Sequence, residues 1–465
     1  MTKSAQRHRI VVVGGGPGGY EAALAGSQLG AEVVLIEETG VGGNAVLTDV
    51  VPSKSLIAVS DAAEDLTKLE ALGVRLGDSA ATIDLALVNQ KLLALANEQS
   101  EDMLAALERA EVRVIKGRGR LDGNHTVVVT NSDGSLGERI ETRTVVLATG
   151  ASPRELPAAK TDGKRVLNWK QLYSLNDIPE HLIVVGSGVT GAEFASAYLA
   201  LGSQVTLVSS RDQLLPGQDE DAARLLEQEF QRRGMRILKR SRAIGAAANG
   251  DGVDVTLEGG EILRGSHCLM AVGSVPNTAD LGLEEARVEL TDSGHVRVNK
   301  VAGTSRANVY AVGDCTDFMP LASVAAMQGR TAVFHAMGDI ANPVQARNIA
   351  SNVFTAPEIA SVGWQESAIL SGEVRGSSHR VELTENPRAK MMGIHSGFIK
   401  LMASTSGTVV GGLVVAPKAS ELILPIAIAV ENRLTVDQLA RTFAVYPSLS
   451  GSISDAARAL HQPIE

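Results

Sequence analysis

Cysteine is nearly missing from this chain. Cys268 and Cys315 are the only two in 465 residues, and they lie far apart. That excludes a disulfide framework, a CxxC redox pair and a thiolate-rich metal site, and each thiol reads as a small buried residue. No metal site is expected. Long hydrophobic runs are missing too. The early run Ile10–Val13 is far too short for a signal-peptide core or a membrane span, so the expectation is a soluble, cytoplasmic protein. No long basic run exists either, and the net charge is −10, which argues against nucleic acid as a partner. What remains is a chain of ordinary apolar content, long enough for about two to four domains with large cores.

The first pattern that carries chemistry is a strand, Ile10–Val13, running into Gly14, Gly16 and Gly19 and then an Ala-rich helix, Tyr20–Leu29. A second strand, Val33–Ile36, ends in Glu37. This is GxGxxG between strand and helix, with an acid about twenty residues on. The first glycine allows a tight turn, the second lets the backbone approach a pyrophosphate, and the third lets helix pack on strand. The helix end supplies free N–H groups for the phosphates, and Glu37 would accept from a ribose diol.

A second unit repeats the pattern. Leu182–Val185 leads into Gly186, Gly188 and Gly191, a helix over Ala192–Leu201 and a strand over Val205–Val208. Its acid is missing: Ser209 stands in that place, with Arg211 two residues on. A carboxylate there would hold the 2′-OH of NAD(H), whereas serine and arginine favour the 2′-phosphate of NADP(H). Two such units in one chain point to one site for FAD and one for a nicotinamide nucleotide.

Between and beyond these units the pattern is less specific. Residues 56–111 predict two helices broken near Gly73–Gly77. Short strands follow at Val112–Ile115, Thr126–Thr130 and Val145–Leu147, with Gly119 between the first two, and the last ends in Ala148-Thr149-Gly150-Ala151. Val309–Val312 predicts a strand ending in Gly313-Asp314, and Leu321-Ala322 would open a helix. Near the C-terminus, Val409–Val415 predicts a strand. Ala419–Val430 predicts a helix apolar on most of its surface, buried in the subunit or against a partner.

Taken in order from Ile10 to Gly451, these motifs resemble the flavoprotein disulfide reductases, the family of lipoamide dehydrogenase and glutathione reductase. Pro52-Ser53-Lys54 and Phe354–Gly363, similar to the opening of that family's dimerisation domain, add to the likeness. The resemblance implies an α/β fold with two Rossmann-like dinucleotide-binding domains plus a C-terminal α+β dimerisation domain. The implied boundaries are 1–154 and 275–346 for FAD, 155–274 for NAD(P), and 347–465 for dimerisation in a homodimer. It implies flavin contacts at Gly43, Gly119, Thr149, Gly150 and Ala151, and ribityl hydroxyls on Asp314. The helix opened by Leu321 and Ala322 would point its positive end at the flavin pyrimidine. Gly273 would begin the crossing back to the flavin domain, with Ser274 in place of the family's arginine. Lys54 would stand beside flavin N5, and Glu193 would pair with it.

The resemblance breaks at four positions together. In the loop VGGNAVLTDVVPSK, counting back from Pro52-Ser53-Lys54, the two cysteine positions fall on Ala45 and Val50. The family's histidine is Tyr446 here, and its glutamate is Gly451. Thiolate and base act as one unit in dithiol exchange, so an entire half-reaction is gone. What the resemblance still implies is the other half, from NAD(P)H to FAD. A cysteine-less member of this kind looks like the NAD(P)H:quinone reductases. Ala45 and Val50 would line the flavin face, and the partner subunit's Tyr446 would close the pocket. That suits a planar, weakly polar acceptor, a quinone or another diaphorase substrate such as a nitroaromatic. A soluble pyridine-nucleotide transhydrogenase and a flavin-bound redox sensor are the readings left open beside it.

Overall fold

The structure is a computed structural model describing residues 8–69, 73–74, 82–123 and 125–461. Arg9–Val13 is the middle strand of a five-stranded parallel sheet. Its order is Val309–Ala311, Thr144–Leu147, Arg9–Val13, Glu32–Glu37, Arg113–Lys116. Ile10, Val11 and Val12 are fully buried, as a continuous apolar run must be in a parallel sheet covered on both faces. Helix α1 (Pro17–Gln28) leaves the end of that strand.

The stretch after Glu37 is more helical than the sequence suggested. It folds into α2 (Gly43–Leu47), α3 (Val50–Lys68) and α4 (Leu85–Arg109). Helix α3 thus begins well before Leu56, inside the loop with the two substituted cysteine positions. Of the expected break, Gly73 has a φ of +84°, while Gly77 lies outside the described residues. The strand expected at Thr126–Thr130 pairs with two that were not anticipated, Arg118–Leu121 and Leu136–Glu141, in an antiparallel sheet.

The second glycine unit builds the same architecture again. Its parallel sheet runs Arg236–Leu238, Gln204–Val208, His181–Val185, His267–Met270, Val166–Leu167. Helix α5 (Val189–Ala200) follows the central strand, and α6 (Glu220–Arg232) precedes the edge one. Ser274–Pro276 pairs antiparallel with Ala151–Pro153 and carries the chain back. Helix α7 (Ala322–Met337) then packs on α1. A Cβ on Gly329 would sit 2.1 Å from the Gly18 carbonyl oxygen, so only glycine permits that approach.

Residues beyond 350 form an antiparallel five-stranded sheet flanked by short helices. The single apolar helix expected over Ala419–Val430 is two, Ala419–Leu422 and Leu424–Glu431. Pro425 has no N–H to continue the helical ladder, which explains the break. Lys400 of this sheet is 1% exposed and reaches Asp219 at 3.0 Å, Asp221 at 2.9 Å and Glu366. Burial alone would lower its pKa, but hydrogen bonds to Glu366, Asp221 and Asp219 carry it above the ordinary value. This ionic knot fixes the N-terminus of α6 against the antiparallel five-stranded sheet.

Both cysteines are buried and unpaired. Burial pushes the Cys268 thiol up to about 12, so it holds its proton and is inert. Among the described residues, no helix is long and apolar enough to cross a membrane.

Candidate active site

The first glycine turn is shaped by contacts that leave no room for side chains. Gly14 has φ +102°, and a Cβ on it would lie 2.3 Å from the Ala148 carbonyl oxygen. Gly19 is buried beneath the turn, where a Cβ would come 1.9 Å from the Gly14 carbonyl oxygen. At Gly16 a Cβ would meet nothing within 4 Å, so the backbone there faces open space. Helix α1 has neither a side-chain cap nor an acid in its first turn. Its free N–H groups and positive dipole end therefore face that space, as an anion site requires.

Glu37 is held at the far side of the turn. Its Oε2 accepts from the Gly15 N–H at 2.6 Å, and Oε1 accepts from the Thr39 N–H at 2.8 Å and hydroxyl at 2.9 Å. The carboxylate is thereby oriented before any ligand arrives.

These groups border one cavity of about 640 Å³, within the roughly 300–1,000 Å³ usual for cofactor sites. Gly14, Gly16, Glu37, Gly43, Gly119, Thr149, Gly150, Ala151, Asp314 and Ala322 lie on its wall, with Ala45 and Val50. Leu321 stands just behind, at the N-cap of α7. Burial raises the Asp314 carboxyl above its ordinary value. Asn277 staples the back wall: its N–H donates to the Gly150 carbonyl at 2.9 Å and its side-chain amide to the Thr149 carbonyl at 2.9 Å.

Lys54 lies one turn beyond Val50 on the same face of α3. Its ammonium pairs with Glu193 of α5 at 2.7 Å. The Glu193 side chain is 5% exposed, and its other oxygen accepts from the Phe354 N–H at 2.8 Å. One ion pair thus joins the first unit, the second unit and the C-terminal segment. Two residues 139 positions apart meet here.

In the second unit, Gly186 and Gly191 repeat the packing of Gly14 and Gly19. Their Cβ atoms would lie 2.1 Å from the Ala271 oxygen and 1.9 Å from the Gly186 oxygen. Gly188, like Gly16, faces open space, and so does Gly273 with φ +92°. Ser209 does not face that space. It is fully buried, with its hydroxyl 2.7 Å from the Ser187 hydroxyl and accepting from the Arg211 N–H at 3.1 Å. Ser209 therefore braces the turn. Arg211 is exposed, and among the described residues no carboxylate pairs with it.

Tyr446 is 82% exposed and is not on the cavity wall of its own chain. Phe443 and Val445 beside it are 102% and 78% exposed. Sequence reasoning passed over Asn44, Asp49 and Lys170, which also line the cavity. The Asn44 amide donates to the Ala151 carbonyl at 2.7 Å, and Lys170 donates to the Asn44 side-chain oxygen at 2.8 Å. Asp49 was legible as the one carboxylate in the loop that ends at Lys54. Lys170 lies in an unremarkable segment with no motif around it.

Known proteins resemble this chain along nearly its whole length. The family described as pyridine nucleotide-disulphide oxidoreductase matches residues 8–329, and its dimerisation domain matches residues 349–457. An NAD(P)H dehydrogenase (quinone) of Mycobacterium tuberculosis is 49% identical over 462 residues, covering 97% of this chain and 94% of that protein. A dihydrolipoyl dehydrogenase of Geobacillus stearothermophilus is 30% identical, covering 98% and 96%. The crystal structure of LpdA from Mycobacterium tuberculosis superposes with a TM-score of 0.94 at 48% identity, covering 98% of this chain and all of that one.

Proposed function

The chain belongs to the pyridine nucleotide-disulphide oxidoreductase family, and from that premise we propose that it is an FAD-dependent NAD(P)H:quinone oxidoreductase that works without a disulfide. The observation that carries this reading is the Lys54–Glu193 pair, formed one helical turn beyond Val50, with Ala45 and Val50, the two redox-loop positions, on the cavity wall. The apparatus of one half-reaction is kept, and that of the other is replaced by an apolar wall. The 49% identical relative named NAD(P)H dehydrogenase (quinone) supports the same conclusion.

Each residue has a defined task. The N-terminus of α1 and the open backbone at Gly16 receive the FAD pyrophosphate, Glu37 the adenosine ribose, and Asp314 the ribityl hydroxyls. When bound, FAD supplies the acceptor for the nicotinamide's electron pair and the donor to the second substrate. Gly186, Gly188 and Gly191 receive the coenzyme phosphates at the N-terminus of α5, and Gly273 leaves room beside them. Arg211 faces the coenzyme ribose and supports a 2′-phosphate. Lys54, clamped by Glu193, holds a fixed positive charge where the electron pair arrives, and such preorganised charge costs nothing to reorganise during reaction. Ala45 and Val50 form a flat apolar surface for the acceptor. The active form is a homodimer: Phe443, Val445 and Tyr446 are exposed in one chain, and the partner subunit's Tyr446 covers the acceptor pocket.

An acceptor panel tests this directly. With NADPH or NADH as donor, benzo- and naphthoquinones are turned over, while lipoamide and glutathione disulfide are not. Disulfide turnover rivalling that of quinones would overturn the proposal, and transfer to NAD as the dominant rate would make the protein a transhydrogenase. Losing a charge-assisted phosphate contact costs about 1.5–3 kcal/mol. Arg211→Ala therefore raises the KM for NADPH about tenfold or more and leaves that for NADH much less affected. Equal shifts would place Arg211 away from the 2′-phosphate.

A further inference from the structure

Reducing a quinone takes protons as well as electrons, and the histidine that moves protons in the related disulfide chemistry and the glutamate that orients it are Tyr446 and Gly451 here. The cavity holds another candidate. Asp49 is the N-cap of α3, a position where an aspartate normally accepts from the first-turn N–H groups, yet its side chain makes no cap. Its backbone is fixed, with its N–H donating to the Asn44 carbonyl at 2.8 Å and its carbonyl accepting from the Ser53 N–H at 2.8 Å. Among the described residues, no donor and no cation within ion-pair distance meets its carboxyl group. Instead it lines the cavity between Ala45 and Val50, together with Lys170. Lys170 gives one hydrogen bond to Asn44 and meets no carboxylate at ion-pair distance among the described residues.

We infer that Asp49 is the proton donor to the acceptor in this cavity, with Lys170, on the same cavity wall, as a positioning residue beside it. The inference rests on the quinone reading and deepens it. In the overall reaction NAD(P)H, one proton and a quinone give NAD(P)⁺ and a hydroquinone. In net terms the nicotinamide C–H bond breaks and gives up a hydride, whose electron pair and hydrogen account for the reduction and for one O–H bond of the hydroquinone. The O–H bond of Asp49 breaks as an O–H bond forms on a quinone oxygen, and water then returns a proton to the carboxylate.

The surroundings suit that role. Burial raises the Asp49 carboxyl above its ordinary value. Lys54 on its own helix lowers it, Glu193 of α5 and Asp314 beside α7 raise it, and Lys170 lowers it. Lys170 is itself lowered by burial and raised by Asp49. The neighbouring Tyr173 phenol is raised by burial and stays neutral. A raised carboxyl is protonated over a wider range of pH, which favours a general acid. Quinone reduction should therefore fall as pH rises through the Asp49 pKa.

Ferricyanide, which takes an electron and no proton, is the control. In Asp49→Asn holoenzyme the ratio of quinone to ferricyanide turnover falls about 100-fold, and Asp49→Glu restores part of it. An unchanged ratio overturns the inference. A wild-type protein that reduces no quinone overturns the functional reading instead. The infrared spectrum of wild-type holoenzyme gives a readout independent of turnover and of any variant's folding. A protonated-carboxyl band must disappear over the same pH range in which quinone turnover is lost. Loss of turnover with no such change removes Asp49 as the donor. Lys170→Met must move both transitions together to higher pH, and a shift in neither denies Lys170 its part.

Discussion

Replacing Gly19 with alanine is expected to cost the chain its FAD, whereas the same change at Gly191 leaves FAD bound and abolishes reduction by NAD(P)H. The two glycines occupy equivalent places. Each would put a Cβ 1.9 Å from a backbone carbonyl oxygen, Gly14 in the first unit and Gly186 in the second. No rotamer relieves such a contact, because neither atom belongs to a flexible side chain. The helix must move away from its turn, and the free N–H groups move with it. Electrostatic sites of this kind lose their effect when the geometry shifts by about 1 Å. The flavin absorption of purified Gly19→Ala reports the first loss. Anaerobic mixing of Gly191→Ala with NADPH reports the second. If Gly191→Ala lost FAD and Gly19→Ala kept it, the assignment of the two units would be reversed.

Lys54→Met carries the second large effect. It removes the cation from a carboxylate that is 5% exposed and leaves Glu193 with only the Phe354 N–H. Breaking one half of a buried pair costs about 3–5 kcal/mol, so the variant should melt well below the wild type. Losing a preorganised charge beside the reacting centre costs about 100- to 1,000-fold in rate. Bleaching of the flavin by NADPH in a stopped-flow experiment should slow by that factor. Glu193→Gln separates the two consequences, because it keeps a hydrogen-bond acceptor for Lys54 without a buried charge. It is expected to slow flavin bleaching less than Lys54→Met. A Lys54→Met protein that is bleached at the wild-type rate would reduce the pair to a structural clamp.

The fold was legible because its signals are local. Gly14, Gly16 and Gly19 sit directly between strand and helix, and the same spacing returns at Gly186, Gly188 and Gly191. The Lys54–Glu193 contact was legible through family resemblance, since nothing in the spacing of two residues so far apart makes them meet. Three features escaped for physical reasons. Ser209 looked like a ligand contact because its position along the strand was right, but only packing shows its hydroxyl turned toward Ser187. The helix over Ala419–Val430 looked continuous because its apolar character is continuous, and Pro425 decided otherwise. Asp49 and Lys170 converge on one cavity from separate elements, a juxtaposition that no motif encodes.

The central claim is that electrons pass through a single two-electron centre, with no thiol pair between donor and acceptor. Anaerobic titration of the purified protein with NADPH, followed by flavin absorbance, counts those centres directly. The flavin should be fully bleached after about one NADPH per FAD, with no long-wavelength band from a thiolate beside the flavin. Uptake of about two NADPH per FAD, or the appearance of that band, would contradict the account.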